Sequence, residues 1–336
     1  MARKPTIQDV ATLAGVSIAT ADRVLNRRGG VVPAKESRVL SAARRLKLDR
    51  RLGGGYAHRL RVAVLIEAAT NPFHAALGQA FAKLNATSAE LNLQFLVHHL
   101  DPNRPERIPE IIDRLARQHD GLVVASPAGQ EIAAALRRAA AAIPVATLAT
   151  DIPDSGRQAY VGPDDLQAGR VAGDLMGRFL GPTGGDVLMV TGLLSMFGQR
   201  AREAGFRSVL AQHHPACRVV AVEESRETAH RAGTIVATAL RRHPGLAGLY
   251  LTSAGADAVV ASLMAAGRPD VVFITHELTE DRRALLQRRA IHAVVDQDAA
   301  SEVQVVADTM ARLLGRIEGD VLTRPTPVRI YTAENC

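Results

Sequence analysis

Tryptophan is absent from this chain, and four tyrosines and seven phenylalanines supply its 3% aromatic content over 336 residues. A core with so few rings must be filled by Leu, Val and Ala, and any ring beside a strand end stands out as a candidate for stacking on a ligand. Cysteine is almost as scarce. Cys217 and Cys336 share neither disulfide nor metal spacing, which excludes a disulfide-stapled scaffold and points to a reducing cytoplasm. No apolar run reaches the ~18 residues a membrane span needs. Met1–Pro5 offers no apolar leader, so neither a secreted nor a membrane protein is expected. Catalytic and metal signatures are missing as well. His98-His99 and His213-His214 lack a third ligand at metal spacing, and Ser195 lacks a nucleophile elbow. Neither Leu52-Gly53-Gly54-Gly55 nor Ile66-Glu67-Ala68-Ala69-Thr70 supplies a dinucleotide fingerprint. The expectation is a protein that is not an enzyme and carries no cofactor and no metal.

What is present is concentrated at the amino terminus. Residues 1–61 hold fourteen Lys or Arg against four acids, a surplus of ten positive charges in a chain whose net charge is +7; the remainder is therefore at −3. A basic head on a mildly acidic body is the footprint of nucleic-acid binding. The head also has a pattern. Thr6 suits an N-cap, Asp9 suits the positive end of the helix dipole, and Ile7, Val10, Ala11 and Ala14 recur at helical spacing. Gly15 stops that pattern where a left-handed residue is needed. Val16 plugs the small core, Ser17 caps a second helix, and Ala21, Val24 and Leu25 point inward. A third helix runs from about Pro33 to Leu46.

This is a helix-turn-helix, whose second helix puts its first residues against base edges. Ile18 and Ala19 suit thymine methyls, Arg23 suits guanine or a phosphate, and Ser17 and Thr20 suit phosphates. Arg27, Arg28, Lys35 and Arg50 are further phosphate candidates, and Thr6 and Asn26 complete the DNA-contacting set. The partner expected is double-stranded DNA.

Beyond the Gly53-Gly54-Gly55 linker, strands alternate with helices. Strand-like runs lie at Val62–Ile66, Leu93–Val97, Gly121–Ala125, Val145–Leu148, Val187–Val190, Val219–Val222, Leu249–Leu251, Val271–Ile274 and Ala293–Val295. Amphipathic runs such as Phe73–Leu91, Ile108–Gln118, Leu166–Leu180, Glu203–His213 and Thr228–Arg242 separate them. This alternation predicts parallel sheets, and a break near Gly156–Gly162 predicts two Rossmann-like α/β lobes. Ligands of such folds bind beyond the carboxyl ends of strands. The predicted division is residues 1–48 as an all-α three-helix DNA-binding head, 49–60 as a hinge, and 61–336 as a bilobed effector-binding and dimerisation body.

At this point the chain resembles the lactose-repressor family of bacterial transcription regulators. Thr6-Ile7-Gln8-Asp9-Val10-Ala11, Ala14-Gly15-Val16-Ser17, Thr20 and Arg23-Val24-Leu25-Asn26 match its DNA-binding signature, and the body resembles a ribose-type periplasmic binding protein. The resemblance implies a homodimer, a palindromic operator, and a small effector, a sugar or polyol, that changes operator affinity. It also implies two lobes joined by three crossovers, with the last strands returning to the first lobe.

The effector contacts it implies are as follows. Phe73 and His74 belong to the turn Asn71-Pro72-Phe73-His74; Phe73 either stacks on a sugar ring or packs under its loop. Asp151 either meets ligand hydroxyls or forms a turn before Pro153. Arg202 matches the family's effector-binding arginine, with Arg200 as competitor. Ser253, His276, Glu277 and Gln297 follow later strands. Three departures stand out. Leu48–Gly55 replaces the family's hinge-helix stretch, leaving Leu52 as the one obvious minor-groove wedge. Ser253-Ala254 replaces an Asn-Asp pair. Thr275-His276-Glu277-Leu278 replaces a Gly-aromatic-Asp-Asp run and puts His276 in the stacking place. A solute-binding protein of the same fold without a DNA role is the alternative, and it would call for a secretion signal.

Overall fold

The computed structural model describes residues 5–26, 28–46, 48, 59–87, 91–321 and 325–336. Arg27, Arg50, Leu52 and the Gly53–Gly55 linker lie outside them.

The head has three helices: α1 (Ile7–Ala14), α2 (Ile18–Leu25) and α3 (Pro33–Arg45). Thr6 Oγ1 accepts from the Asp9 backbone N–H at 3.3 Å while Asp9 Oδ2 accepts from the Thr6 backbone N–H at 2.7 Å. Two orphan donors are thus satisfied reciprocally, an arrangement worth about 1 kcal/mol. Gly15 ends α1 at φ +61°. Ser17 caps α2 by accepting from Thr20 N at 3.2 Å. Val10, Ala11, Ala14, Ala21, Val24, Val39, Leu40, Ala42 and Ala43 fill the core between them.

The body holds two sheets. The first contains β1 (Leu60–Glu67), β2 (Leu93–Leu100), β3 (Gly121–Val124), β4 (Val145–Leu148) and β5 (Ala159–Val161) in the order β2-β1-β3-β4-β5, all parallel. Val62 sits opposite Phe95 on one side and Gly121 on the other. Alternate residues face opposite ways. Val62, Val64 and Ile66 pack with α4 (Pro72–Thr87) and α12 (Ala299–Leu313), whereas Ala63 and Leu65 pack with α5 (Ile108–Gln118) and α6 (Gln130–Ala140). Both faces are covered, which is why these strands read as unbroken apolar runs.

The second sheet contains β6 (Gly185–Thr191), β7 (Cys217–Glu224), β8 (Leu246–Leu251), β9 (Val272–His276), β10 (Ala293–Asp296) and β11 (Arg329–Tyr331), in the order β11-β10-β9-β8-β6-β7. Its faces are covered by α7 (Asp165–Leu180) and α8 (Phe197–His213) on one side, and by α9 (Ala229–Arg242), α10 (Ala256–Ala265) and α11 (Glu280–Gln287) on the other.

The expected fold class is the one observed. One expectation is corrected: the last strand does not return to the first lobe. Helix α12 makes that return, with Met310 over Gly121 of β3, while β11 pairs antiparallel with β10 in the second sheet. Two strands too short to show a pattern, β5 and β11, went unread. The chain still crosses between lobes three times: before α7, before α12 and before β11.

The head rests on the first lobe. Arg316, just past α12, lies 3.8 Å from Glu36 of α3, and both side chains are buried. A Cβ added to Gly315 would lie 3.3 Å from Ser37 Oγ.

Candidate functional site

Two regions carry functional residues. On the head, Ser17, Ile18, Ala19, Arg23, Asn26, Arg28, Lys35 and Thr6 are exposed and Thr20 is half-buried. Ile18 is 48% exposed at the start of α2. Arg28 donates to Asp22 at 2.8 Å, and Asn26 donates to the same carboxylate at 2.6 Å. Asp22 therefore holds both beside the carboxyl end of α2.

The second region is a cavity between the two lobes, about 500 Å³ of empty space, part of it open to solvent. The strand ends and the segments just beyond them build its walls. Phe73, His74, Arg202, Ser253, Glu277 and Gln297 line it, together with Glu67, Asn71, Thr150, Gln199, Glu227 and Ala254. Arg202 is the hub. Its Nε donates to Asp165 Oδ1 at 2.8 Å, and its terminal nitrogens donate to Glu277 Oε1 and Gln297 Oε1, each at 3.2 Å. Burial disfavours the cation, but Asp165 and Glu277 outweigh it and hold Arg202 charged. The competitor Arg200 is exposed and leans on the Phe197 ring at 5.9 Å.

Two expected residues do not reach the cavity. Asp151 is clasped by Arg157 through both carboxylate oxygens and accepts from Thr147. Burial opposes its charge, yet Arg157 holds its pKa below the usual carboxylate range. His276 lies beneath the site, its Nε2 2.5 Å from the Tyr250 hydroxyl in the core. Burial, then Arg202 and Arg282, push its pKa well below the imidazole norm, so it is a neutral structural residue and offers no stacking face. Phe73 is the one Phe, Tyr or Trp of the cavity, edge-on to His74 at 5.5 Å.

Two further acids lining the cavity went unrecognised in the sequence. Glu67 ends β1, and Glu227 sits in the loop before α9. Asn71 Nδ2 donates to Glu67 Oε2 at 3.0 Å and to Glu227 Oε2 at 3.4 Å, so one amide bridges the lobes. Gln199 Nε2 donates to Glu227 Oε1 at 2.6 Å, while its own oxygen accepts from Thr191 and the backbone of Gly192 and Leu193. Burial pushes both glutamates up to about 7; Glu277 raises each further, and Glu67 also raises Glu227. Burial takes His74 down to about 4, so it is neutral.

Backbone strain was also invisible beforehand. Ala149, Arg226, Glu227, Glu277 and Asp298 all adopt left-handed φ between +54° and +59° at or beside the cavity. Each costs about 1 kcal/mol or more, and such residues cluster where function demands a side-chain direction. Further bonds tie the lobes together. Gly198 N donates to Thr150 Oγ1 at 3.0 Å, Ala128 N to Ser195 O at 2.9 Å, and Asn103 to Arg226 O at 3.4 Å. The two lobes are therefore closed on the cavity.

Among the described residues, no helix is long and apolar enough to cross a membrane, and no group of His, Cys, Asp or Glu is arranged to hold a metal ion. Comparison with known proteins agrees with both regions. Residues 62–317 match the family described as periplasmic binding protein domain, and residues 6–48 match bacterial regulatory proteins, lacI family. The chain is 33% identical over 132 residues to the sucrose operon repressor of Klebsiella pneumoniae, an alignment spanning 37% of this chain and 38% of that one. It is 26% identical over 268 residues to the D-apiose import binding protein of Paraburkholderia graminis, covering 78% of this chain and 83% of that protein. Among solved structures, a solute-binding protein from Burkholderia graminis in complex with D-arabinose superposes with a TM-score of 0.75 at 26% identity, over 82% of this chain and 96% of that one. A glucose-galactose binding protein from Geobacillus stearothermophilus shares the fold at a TM-score of 0.73 and 24% identity, over 83% of this chain and 99% of that one. The chain therefore belongs, over residues 62–317, to the periplasmic binding protein domain family, and residues 6–48 carry the DNA-binding module of the lacI family of bacterial regulatory proteins.

Proposed function

We propose that this protein is a transcriptional repressor whose hold on a palindromic operator is set by a small sugar or polyol. Residues 1–48 read DNA, 49–60 form the hinge, and 61–336 bind the effector and form a homodimer in the cytoplasm. In the head, Ser17, Ile18, Ala19, Thr20 and Arg23 meet the major groove, with Ile18 and Ala19 on thymine methyls. Thr6, Asn26, Arg27, Arg28, Lys35 and Arg50 hold phosphates, and Leu52 enters the minor groove. In the body, Phe73, His74, Arg202, Ser253, Glu277 and Gln297 contact the effector.

The observation that carries this reading is the inter-lobe cavity bridged by Asn71 and Glu227 on a chain whose head exposes Ile18. A molecule filling that cavity touches both lobes at once and so favours their closed arrangement. It shifts operator affinity only by binding one arrangement more tightly than the other. A relative named for D-apiose import and a similar solved structure in complex with D-arabinose support a sugar, and the sucrose operon repressor supports repression.

Selection of duplexes from a random pool, with and without sugars and polyols, tests the reading. A palindromic sequence is expected, bound differently once effector is added. If a scrambled duplex binds as well as any palindrome, or a chain lacking residues 1–60 keeps its DNA affinity, the reading fails and a plain solute-binding protein takes its place. Light scattering tests the homodimer.

A further inference from the structure

We propose that the effector carries a protonated amine alongside its hydroxyl groups, and that this ammonium sits between Glu67 of the first lobe and Glu227 of the second. The inference rests on the effector-binding reading and narrows its ligand class. Glu67 is 3% exposed, and its Oε1 is buried in the cavity wall with no hydrogen-bond partner. The nearest imidazole nitrogen, His74 Nε2, is 3.7 Å away on a neutral ring. Glu227 has only amide donors, from Gln199, Asn71 and the Ala254 backbone at 3.3 Å.

The cations that line or underlie the cavity are engaged elsewhere. Arg202 is held by Asp165 and Glu277, while Arg282 lies 3.5 Å from Glu277 Oε2 and donates to Ser253 O at 2.7 Å. Asp101 and Glu277 add to the negative field at Glu67, and His99 is the other titratable group facing His74. The wall therefore places two carboxylates, one from each lobe, around a shared donor with no cationic partner among the described residues.

A hydroxyl entering that gap supplies a hydrogen bond but no opposite charge. An ammonium supplies up to three donors and an opposite charge, and charge-assisted bonds are roughly twice as strong as neutral ones. Without a ligand, burial favours the protonated form of both carboxyls, and Glu67 adds to the effect at Glu227. The single phenyl ring, Phe73, leaves the opposite wall to polar groups, so recognition there falls to charge and hydrogen bonds.

The test is titration calorimetry on the full chain near pH 7, with matched probes: D-glucose against D-glucosamine, D-galactose against D-galactosamine, and sorbitol against 1-amino-1-deoxysorbitol. In at least one pair the amino member is expected to bind roughly tenfold more tightly than its neutral partner. Its heat should depend on the buffer, because the entering ammonium expels a proton, and its affinity should weaken as pH falls toward about 5 and the carboxyls fill. Glu227→Gln should erase most of the advantage; retained operator binding and circular dichroism show that the variant is folded. Neutral members binding as well as or better than amino members in every pair overturns the ammonium and leaves the effector reading standing. Binding of calcium alone at this site also overturns it, as does silence of both series. The effector reading is then judged by its own operator experiment.

Discussion

Arg202 has the most to lose from substitution. Arg202→Ala leaves Asp165 buried without its partner and Glu277 with Arg282 alone, and breaking a buried pair this way typically costs about 3–5 kcal/mol. Urea unfolding should show a loss of that order, together with loss of effector response. Arg202→Lys should recover little, because one ammonium cannot reach three acceptors lying in different directions. The titrating groups predict a second behaviour. Glu67 and Glu227 have folded pKa values near 7 against 4.5, so between these values the folded state holds more protons and stability falls as pH rises from 4.5 toward about 7. His74, at about 4 against 6.5, works the other way, and stability falls as pH drops from 6.5 toward 4. Two glutamates outweigh one histidine where the windows overlap, so melting temperatures of the ligand-free protein should peak near pH 4.5 and fall toward pH 7. His74→Asn should flatten the acid limb and Glu227→Gln the alkaline one. At this scale the sequence was partly legible. Glu277 and Gln297 sit just after strands whose apolar runs mark their ends, whereas Arg202, inside α8, was legible only through the family resemblance. His276 misled because it stands beside Glu277, and the left-handed backbone of Glu277 turns the acid into the cavity while the histidine stays in the sheet. Glu227 could not be read, since its direction depends on two successive left-handed residues that no composition signals.

Among the elements, the α7–α8 crossing sets the position of Arg202. A Cβ on Gly169 would lie 2.1 Å from the Arg202 carbonyl oxygen, and one on Gly205 would lie 2.1 Å from the Leu166 carbonyl oxygen. The helices meet backbone to backbone, and any side chain there must push them apart. Gly169→Ala should cost about 1–3 kcal/mol in urea unfolding. It should also weaken effector binding, measured by calorimetry, because the displaced segment carries Arg202. Ala168→Gly, one residue away, should destabilise mildly without that loss. The major helices and buried strands were readable because apolar spacing is set by which faces are covered. Strands β5 and β11 were not, because three residues contain too little pattern and their pairing depends on distant chain. Asn85 shows another limit. It heads an Asn85-Ala86-Thr87 triplet that fits a glycosylation sequon but falls within a predicted helix, and its amide bonds both backbone groups of Phe95, at 2.8 and 2.9 Å, on the outer strand of the first sheet. It therefore blunts an open sheet edge.

Across the whole molecule, charge is split between a basic head and a body of opposite sign, so DNA affinity should fall steeply with added salt. Each phosphate contact contributes a slope of about −0.9 in log affinity against log salt. Lys35→Ala, at an exposed position on α3, should reduce the magnitude of that slope by roughly one contact without changing the preferred operator. The joint at Glu36 and Arg316 answers to different rules. Both partners are sheltered from solvent, where mobile ions screen weakly. Brine that strips this protein from duplex should leave its reader seated on its sensor, and a distance probe spanning α3 and the end of α12 should read the same before and after release.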